Sequence, residues 1–174
     1  MCGQFATYNG QTSTASVRQT RAAVALTIGL SSQAANGMRI YSWNVNGVRA
    51  AMRKGMGDWL AAAQPDILCL QETRLDAAAV ADELRTVQGY STSWSPLRRP
   101  GYGGVATFSR QEPLSWRVGM GLPDFDDEDR VLITEYPEFA LYNIYFPNGR
   151  SSPARLAYKL AFYEAFQRHV DARV

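Results

Sequence analysis

The sequence predicts an α/β domain over residues 38–174, and two patterns carry that prediction. Strand-like and helix-like segments alternate along it, and several apolar runs end abruptly in polar side chains. A third observation bounds it: 174 residues with 46% hydrophobic and 20% charged side chains suffice for one buried core. Residues 1–37 stand apart. They are rich in Ser, Thr, Gln and Ala, hold Arg18 and Arg21 as their only cations, and precede the first acidic residue, Asp58. They read as a disordered leader. It is either upstream sequence from a misassigned start, since Met38 directly precedes the first convincing strand, or a transit-like or secretory targeting segment.

Residues 40–45 read as a strand closed by Asn46-Gly47, and residues 48–63 as a helix disturbed around Gly55 and Gly57. Pro65-Asp66 turns the chain into residues 67–70, an unbroken apolar run of the kind buried on both faces of a sheet. Residues 77–87 return to helical spacing at Val80, Leu84 and Val87. Strands are expected at 90–94, 105–109, 114–118, 131–136 and 141–146, and Pro153 opens a helix to about residue 170.

Composition excludes several function classes. The longest uncharged apolar stretch, residues 22–30, falls short of the roughly 18–20 residues of a membrane-spanning helix, so no membrane partner is expected. Cys2 and Cys69 form neither a disulfide framework nor a CxxC metal motif, which suits a reducing compartment. The formal charge is +2, but two of the 18 Lys and Arg precede residue 38, and the remainder equal the 16 Asp and Glu. Overall charge therefore offers no attraction to phosphate, and a nucleic-acid reading must rest on local placement.

Three strand ends carry side chains that can do chemistry. Asn44 and Asn46 sit at and beyond the end of the first strand, an edge where open α/β sheets gather ligand groups, although Asn46-Gly47 is equally an ordinary turn. Glu72 ends the run Ile67-Leu68-Cys69-Leu70 between Gln71 and Thr73. One carboxylate helped by an amide and a substrate phosphate suffices for Mg2+, which keeps several waters; the plainer role for Glu72 is a helix cap or a surface pair with Arg74. Tyr145 ends a third strand before Pro147-Asn148-Gly149 and could present its hydroxyl to a phosphate. Arg150, Arg155 and Lys159 follow, the last two four apart on one helix face, which is either a phosphate contact or a solvated surface. Arg98 to Gly104 reads as a flexible basic loop, Asp124 to Asp129 as a solvated acidic loop, and His169 as a surface or interface residue without a catalytic part.

Taken in order, Met38-Arg39-Ile40-Tyr41-Ser42-Trp43-Asn44-Val45-Asn46-Gly47-Val48-Arg49-Ala50, Gln64-Pro65-Asp66-Ile67-Leu68-Cys69-Leu70-Gln71-Glu72-Thr73, Tyr102-Gly103-Gly104-Val105-Ala106 and Tyr145-Phe146-Pro147-Asn148-Gly149 resemble exonuclease III. That family belongs to the endonuclease/exonuclease/phosphatase superfamily and includes apurinic/apyrimidinic endonucleases. The resemblance covers residues 38–174 but only the first half of a family member. It implies a four-layer α/β sandwich of mixed sheets with flanking helices, acting on double-stranded DNA in base-excision repair with Mg2+ or Mn2+. Glu72 and Asn44 would build the metal site, and Tyr145 with Asn44 would serve catalysis at the scissile phosphate. Arg150, Arg155, Lys159, Asn46, Tyr102 and Gly103 would lie along the DNA or phosphate.

The family's Gly-Asp-x-Asn block and Asp-His pair, which supply its general base and further phosphate contacts, are not found here. The expectation is therefore a half domain, inactive alone, with one apolar sheet face left without its partner. The rival readings are a non-catalytic nucleic-acid-binding or regulatory protein of the same fold, and another hydrolase of the superfamily. A monomeric full-length form in the cytoplasm is favoured, with organellar or secreted locations left open by residues 1–37.

Overall fold

The computed structural model describes residues 38–75, 87, 89–98 and 101–173, and the backbone of residues 23–29. The first sheet has the order β1-β8-β7-β6 and is antiparallel throughout. It comprises β1 (Ala23–Gly29), β6 (Ser115–Val118), β7 (Val131–Glu135) and β8 (Phe139–Tyr145). The second has the order β2-β3-β5-β4, from β2 (Ile40–Asn44), β3 (Ile67–Gln71), β4 (Ser91–Trp94) and β5 (Val105–Ser109). It is mixed: β2 and β3 run parallel, while β5 is antiparallel to both β3 and β4. The helices are α1 (Val48–Arg53), α2 (Met56–Ala63), the short α3 (Pro123–Asp126) and α4 (Pro153–Asp171).

Strand alternation sorts side chains into layers. On β3, Leu68 and Leu70 point outward and join Phe108 of β5 under Val48, Ala51, Met56 and Leu60 of α1 and α2. Ile67 and Cys69, one step out of phase, face inward and meet Tyr136, Phe139 and Leu141 of the other sheet. Tyr142 and Ile144 of β8 point outward beneath α4, whose Phe162 is fully buried. Burying a side chain of that size contributes about 3 kcal/mol. The chain thus forms all four layers: helices, mixed sheet, antiparallel sheet, helix. The inward faces of β3 and β8 cover one another, so the expected orphaned face is not found there, although Trp116 of the edge strand β6 is 50% exposed.

The single helix expected over 48–63 is two. Gly55, at φ +94°, caps α2 in a left-handed conformation that breaks the path from α1. Ala23–Gly29, read from sequence as part of the leader, forms an edge strand along β8. It satisfies backbone groups that β8 would otherwise leave open on that side. The remainder of residues 1–37 and the helix expected over 77–87, Val87 apart, lie outside the described residues. No helix among the described residues is long and apolar enough to cross a membrane.

Candidate active site

Three strand ends converge. β2 and β3 are parallel, so their carboxyl ends, Asn44 and Gln71, lie side by side in register. β8 reaches the same edge from the opposite sheet, and a buried polar latch fixes it there. Asn143, fully buried, accepts a hydrogen bond from Gln71 Nε2 at 2.8 Å and donates to the Ala106 carbonyl at 2.8 Å and to the Leu70 carbonyl at 3.3 Å. Gln71 Nε2 also donates to Ser42 Oγ at 3.0 Å. The latch therefore ties β8 to β2, β3 and β5 one residue before Glu72 and two before Tyr145.

Beyond the latch, Asn44 Nδ2 donates to Glu72 Oε1 at 2.7 Å, and Arg74 Nη2 donates to Oε2 at 3.2 Å. The Tyr145 hydroxyl lies near enough to the same carboxylate for each group to perturb the other's protonation. Burial pushes the Glu72 carboxyl up, but the hydrogen bonds from Asn44, Tyr145 and Arg74, with the Arg74 charge, outweigh it. The carboxyl lies below its ordinary range. Tyr145 moves the other way: burial and the hydrogen bond to anionic Glu72 hold its phenol well above the ordinary tyrosine value. At neutral pH the site is a carboxylate ringed by donors.

The backbone presents Glu72 from a constrained loop. Asn46, Glu72 and Arg74 all have left-handed φ, at 50°, 53° and 52°. The loop is clasped on both sides: Gly47 N donates to Glu72 O at 2.7 Å and Val48 N to Thr73 O at 2.9 Å, while Thr73 N reaches Gly104 O and Arg74 N reaches Gly103 O. Gly104 has φ +83°, and a Cβ there would stand 2.5 Å from Thr73 Oγ1. Gly103 and Gly104 thus brace the carboxylate loop; Gly103, expected along the DNA, is buried and acts through its carbonyl.

Asn44, expected among the metal ligands, turns its amide nitrogen to Glu72 and its oxygen to the Asn46 N–H at 3.2 Å. In this orientation the amide nitrogen, and not the oxygen, faces the carboxylate. Asn46 is exposed at the turn. Arg150 is exposed, and its backbone N–H bonds Asn148 Oδ1 at 2.9 Å. Lys159 lies over the Tyr163 ring at 5.4 Å. Arg155 is engaged elsewhere, donating to both oxygens of Glu128 at 2.9 and 3.2 Å. Tyr102 is 45% exposed, and its hydroxyl accepts from Arg130 Nη2 at 3.4 Å. No cluster of three or more His, Cys, Asp or Glu suited to a metal occurs among the described residues, so any cation here rests on Glu72.

The acidic stretch is a clamp, where the sequence suggested a solvated loop. Asp126 accepts from the backbone N–H groups of Met120, Gly121 and Leu122, each at 2.8 Å. Asp127 and Asp129 hold Arg98, and Glu128 pairs with Arg130 and Arg155. His169 packs against the Tyr142 ring, 5.9 Å between centroids, on the far side of the first sheet. Gln71, Asn143 and Arg130 received no role from sequence. The available signal was an amide at the end of one apolar run, another inside a second, and an arginine opening a buried strand.

The model of the Endonuclease/Exonuclease/phosphatase family matches residues 41–173. Over 146 residues the chain is 38% identical to a protein named DNA repair nuclease APEX1 from Danio rerio, covering 81% of this chain and 47% of that protein. It is 37% identical to an exodeoxyribonuclease of Bacillus subtilis, covering 76% of this chain and 52% of that one. The solved structure of an AP endonuclease from Archaeoglobus fulgidus superposes with a TM-score of 0.69 at 29% identity, over 78% of this chain and 51% of that one. The chain spans about half the length of the curated relatives it matches.

Proposed function

The chain belongs to the Endonuclease/Exonuclease/phosphatase family, and on that premise we propose that residues 38–174 carry the cation-anchoring part of a site that hydrolyses phosphodiester bonds of double-stranded DNA in repair. The names of its relatives, a DNA repair nuclease and an exodeoxyribonuclease, support the substrate. The observation that carries the reading is the meeting of Asn44, Glu72 and Tyr145 at one edge of two sheets.

The donor set fits Mg2+, or Mn2+ in its place: a single ionised carboxylate, 17% exposed to solvent, where the ion would complete its shell with waters and a phosphate oxygen. Such an ion, when bound, supplies stabilisation of the charge that grows on the phosphate and the departing oxygen. Glu72 would hold it. Asn44 and Arg74 keep the carboxylate in one orientation, and Arg74 must release Oε2 or share it. Tyr145 stays protonated at neutral pH and can swing its hydroxyl from Glu72 to a phosphate oxygen. Arg150, exposed beyond the same strand, can meet the DNA backbone. Among the described residues no second carboxylate or histidine is hydrogen-bonded to this cluster, so none is placed to take the proton from an attacking water.

Calorimetric titration of Mg2+ into the 174-residue chain tests the assignment. The wild type should bind, and Glu72→Gln, which removes the charged acceptor, should bind roughly tenfold more weakly or worse. Equal affinities would sink it. Incision of an abasic duplex by the 174-residue chain should stay at background, and Mg2+-dependent cleavage would show that the groups present suffice. A purely binding protein of this fold would hold DNA equally with or without the Glu72 carboxylate.

A further inference from the structure

We propose that Arg130 is a positioning residue for Tyr145, holding its ring and backbone so that the hydroxyl stays aimed at Glu72. Arg130 immediately precedes β7, and its side chain is 1% exposed. A guanidinium that deep is costly unless its donors are engaged, and here each is, with Tyr145 alone taking both a hydrogen bond and the guanidinium's face. Nη1 donates to the Tyr145 carbonyl at 2.9 Å, and the guanidinium carbon lies 4.8 Å from the centroid of the Tyr145 ring. Nη2 reaches the Tyr102 hydroxyl at 3.4 Å, and Nε is held by Glu128.

One cation thus grips the main chain of Tyr145 and supports the face of its ring. With the face supported, the ring keeps one plane, from which the hydroxyl can serve Glu72 or a phosphate oxygen beside it. A methionine of similar volume could fill the space, but it could neither bond the carbonyl nor present a cationic plane to the ring. Lysine would keep the charge and lose the fork. Arg130 is too buried to touch DNA and does not contact Glu72, so its influence on the site runs through Tyr145. Glu128 anchors Arg130 and also binds Arg155 in the first turn of α4, which sets the arginine's depth against the helix.

The consequence for function rests on reading Tyr145 as a phosphate contact; the positioning itself does not. The test uses the full 174-residue chain carrying 13C-labelled tyrosine, with Tyr145→Phe to identify the signal. In folded Arg130→Met, the Tyr145 ring resonances should move toward those of a freely averaging tyrosine, while Tyr136 and Tyr142 keep theirs. Arg130→Lys should fall between. Unmoved Tyr145 resonances in either folded variant would overturn the proposal. Should neither variant fold, the Arg130 guanidinium resonances of the wild type must shift in Tyr145→Leu, and their constancy would overturn it equally.

A second measurement separates the two readings. Anisotropy of a labelled duplex should show Tyr145→Phe weakening binding about fivefold, Arg130→Met doing the same, and the double variant no worse than Tyr145→Phe. Unchanged binding in Tyr145→Phe would discard Tyr145 as a phosphate contact, and the spectra would still decide Arg130.

Discussion

At the scale of single residues, the site depends on neighbours that hold Glu72 as much as on Glu72 itself. Gly104 is the sharpest case, since a methyl there meets Thr73 Oγ1 and Leu97 in a conformation that side chains rarely adopt. Gly104→Ala should cost about 1–3 kcal/mol in urea unfolding. Because Gly104 O receives the Thr73 N–H, the same variant should also weaken Mg2+ binding. Lowered stability with unaltered Mg2+ affinity would mean the clasp does not position the carboxylate. Glu72 and Tyr145 were legible because a charged or phenolic group at the end of an apolar run is hard to explain by packing. Arg130 was not, since an arginine beside a strand reads as ordinary surface charge, and only the tertiary fold buries it. Asn44 was half legible: its place was evident, while its role depended on which end of the amide faces Glu72.

Among the elements, the fully buried strands of the mixed sheet were readable to within a residue: β3 was expected at 67–70 and spans Ile67–Gln71, and β5 matches its expected bounds. Helix α4 was too, since Pro153 follows Ser152, whose Oγ accepts the Arg155 N–H at 3.2 Å. Pairing between distant segments was not, because β3 and β8 lie about 70 residues apart and nothing local records which polar side chains will meet. The Gln71–Asn143 latch is the element-scale feature that the site depends on. Asn143→Leu should lower unfolding stability by about 2 kcal/mol, as Gln71 and buried carbonyls lose their partner. Adding Gln71→Met should recover part of that, since two apolar partners replace an unmatched polar one. The pair should nevertheless leave Tyr145 and Glu72 less well registered, readable as weaker Mg2+ binding than wild type. A double variant with wild-type Mg2+ affinity would show that the latch serves packing alone.

Across the whole molecule, the layers on either side of the two sheets are joined near the site by the cluster of Arg98, Asp127, Glu128, Asp129, Arg130 and Arg155, which links the 98 loop, β7 and α4. Its carboxylates respond to acid in opposite senses. Burial raises Glu128, but the hydrogen bonds and charges of Arg155 and Arg130 outweigh it and hold the carboxyl below its ordinary value of 4.5. Its contribution to stability is thus complete above about pH 4.5 and is lost as pH falls through the lower folded value. Asp129 is raised, chiefly by burial, so its ionisation opposes folding at neutral pH and is relieved in acid. A melting curve of the wild type alone mixes the two, with Glu72 adding to the first. Comparison with Glu128→Gln isolates one carboxylate because Asp129 and Glu72 are common to both chains. At pH 7 the variant should be less stable by about 3 kcal/mol, since it strands the buried Arg130 without its anion. The gap should narrow as pH falls below 4.5 and close only once pH has passed the lower folded value of Glu128, because protonated glutamate and glutamine are nearly equivalent. A gap that persists undiminished into acid would mean that shape, and not charge, is what Glu128 contributes to holding the layers together.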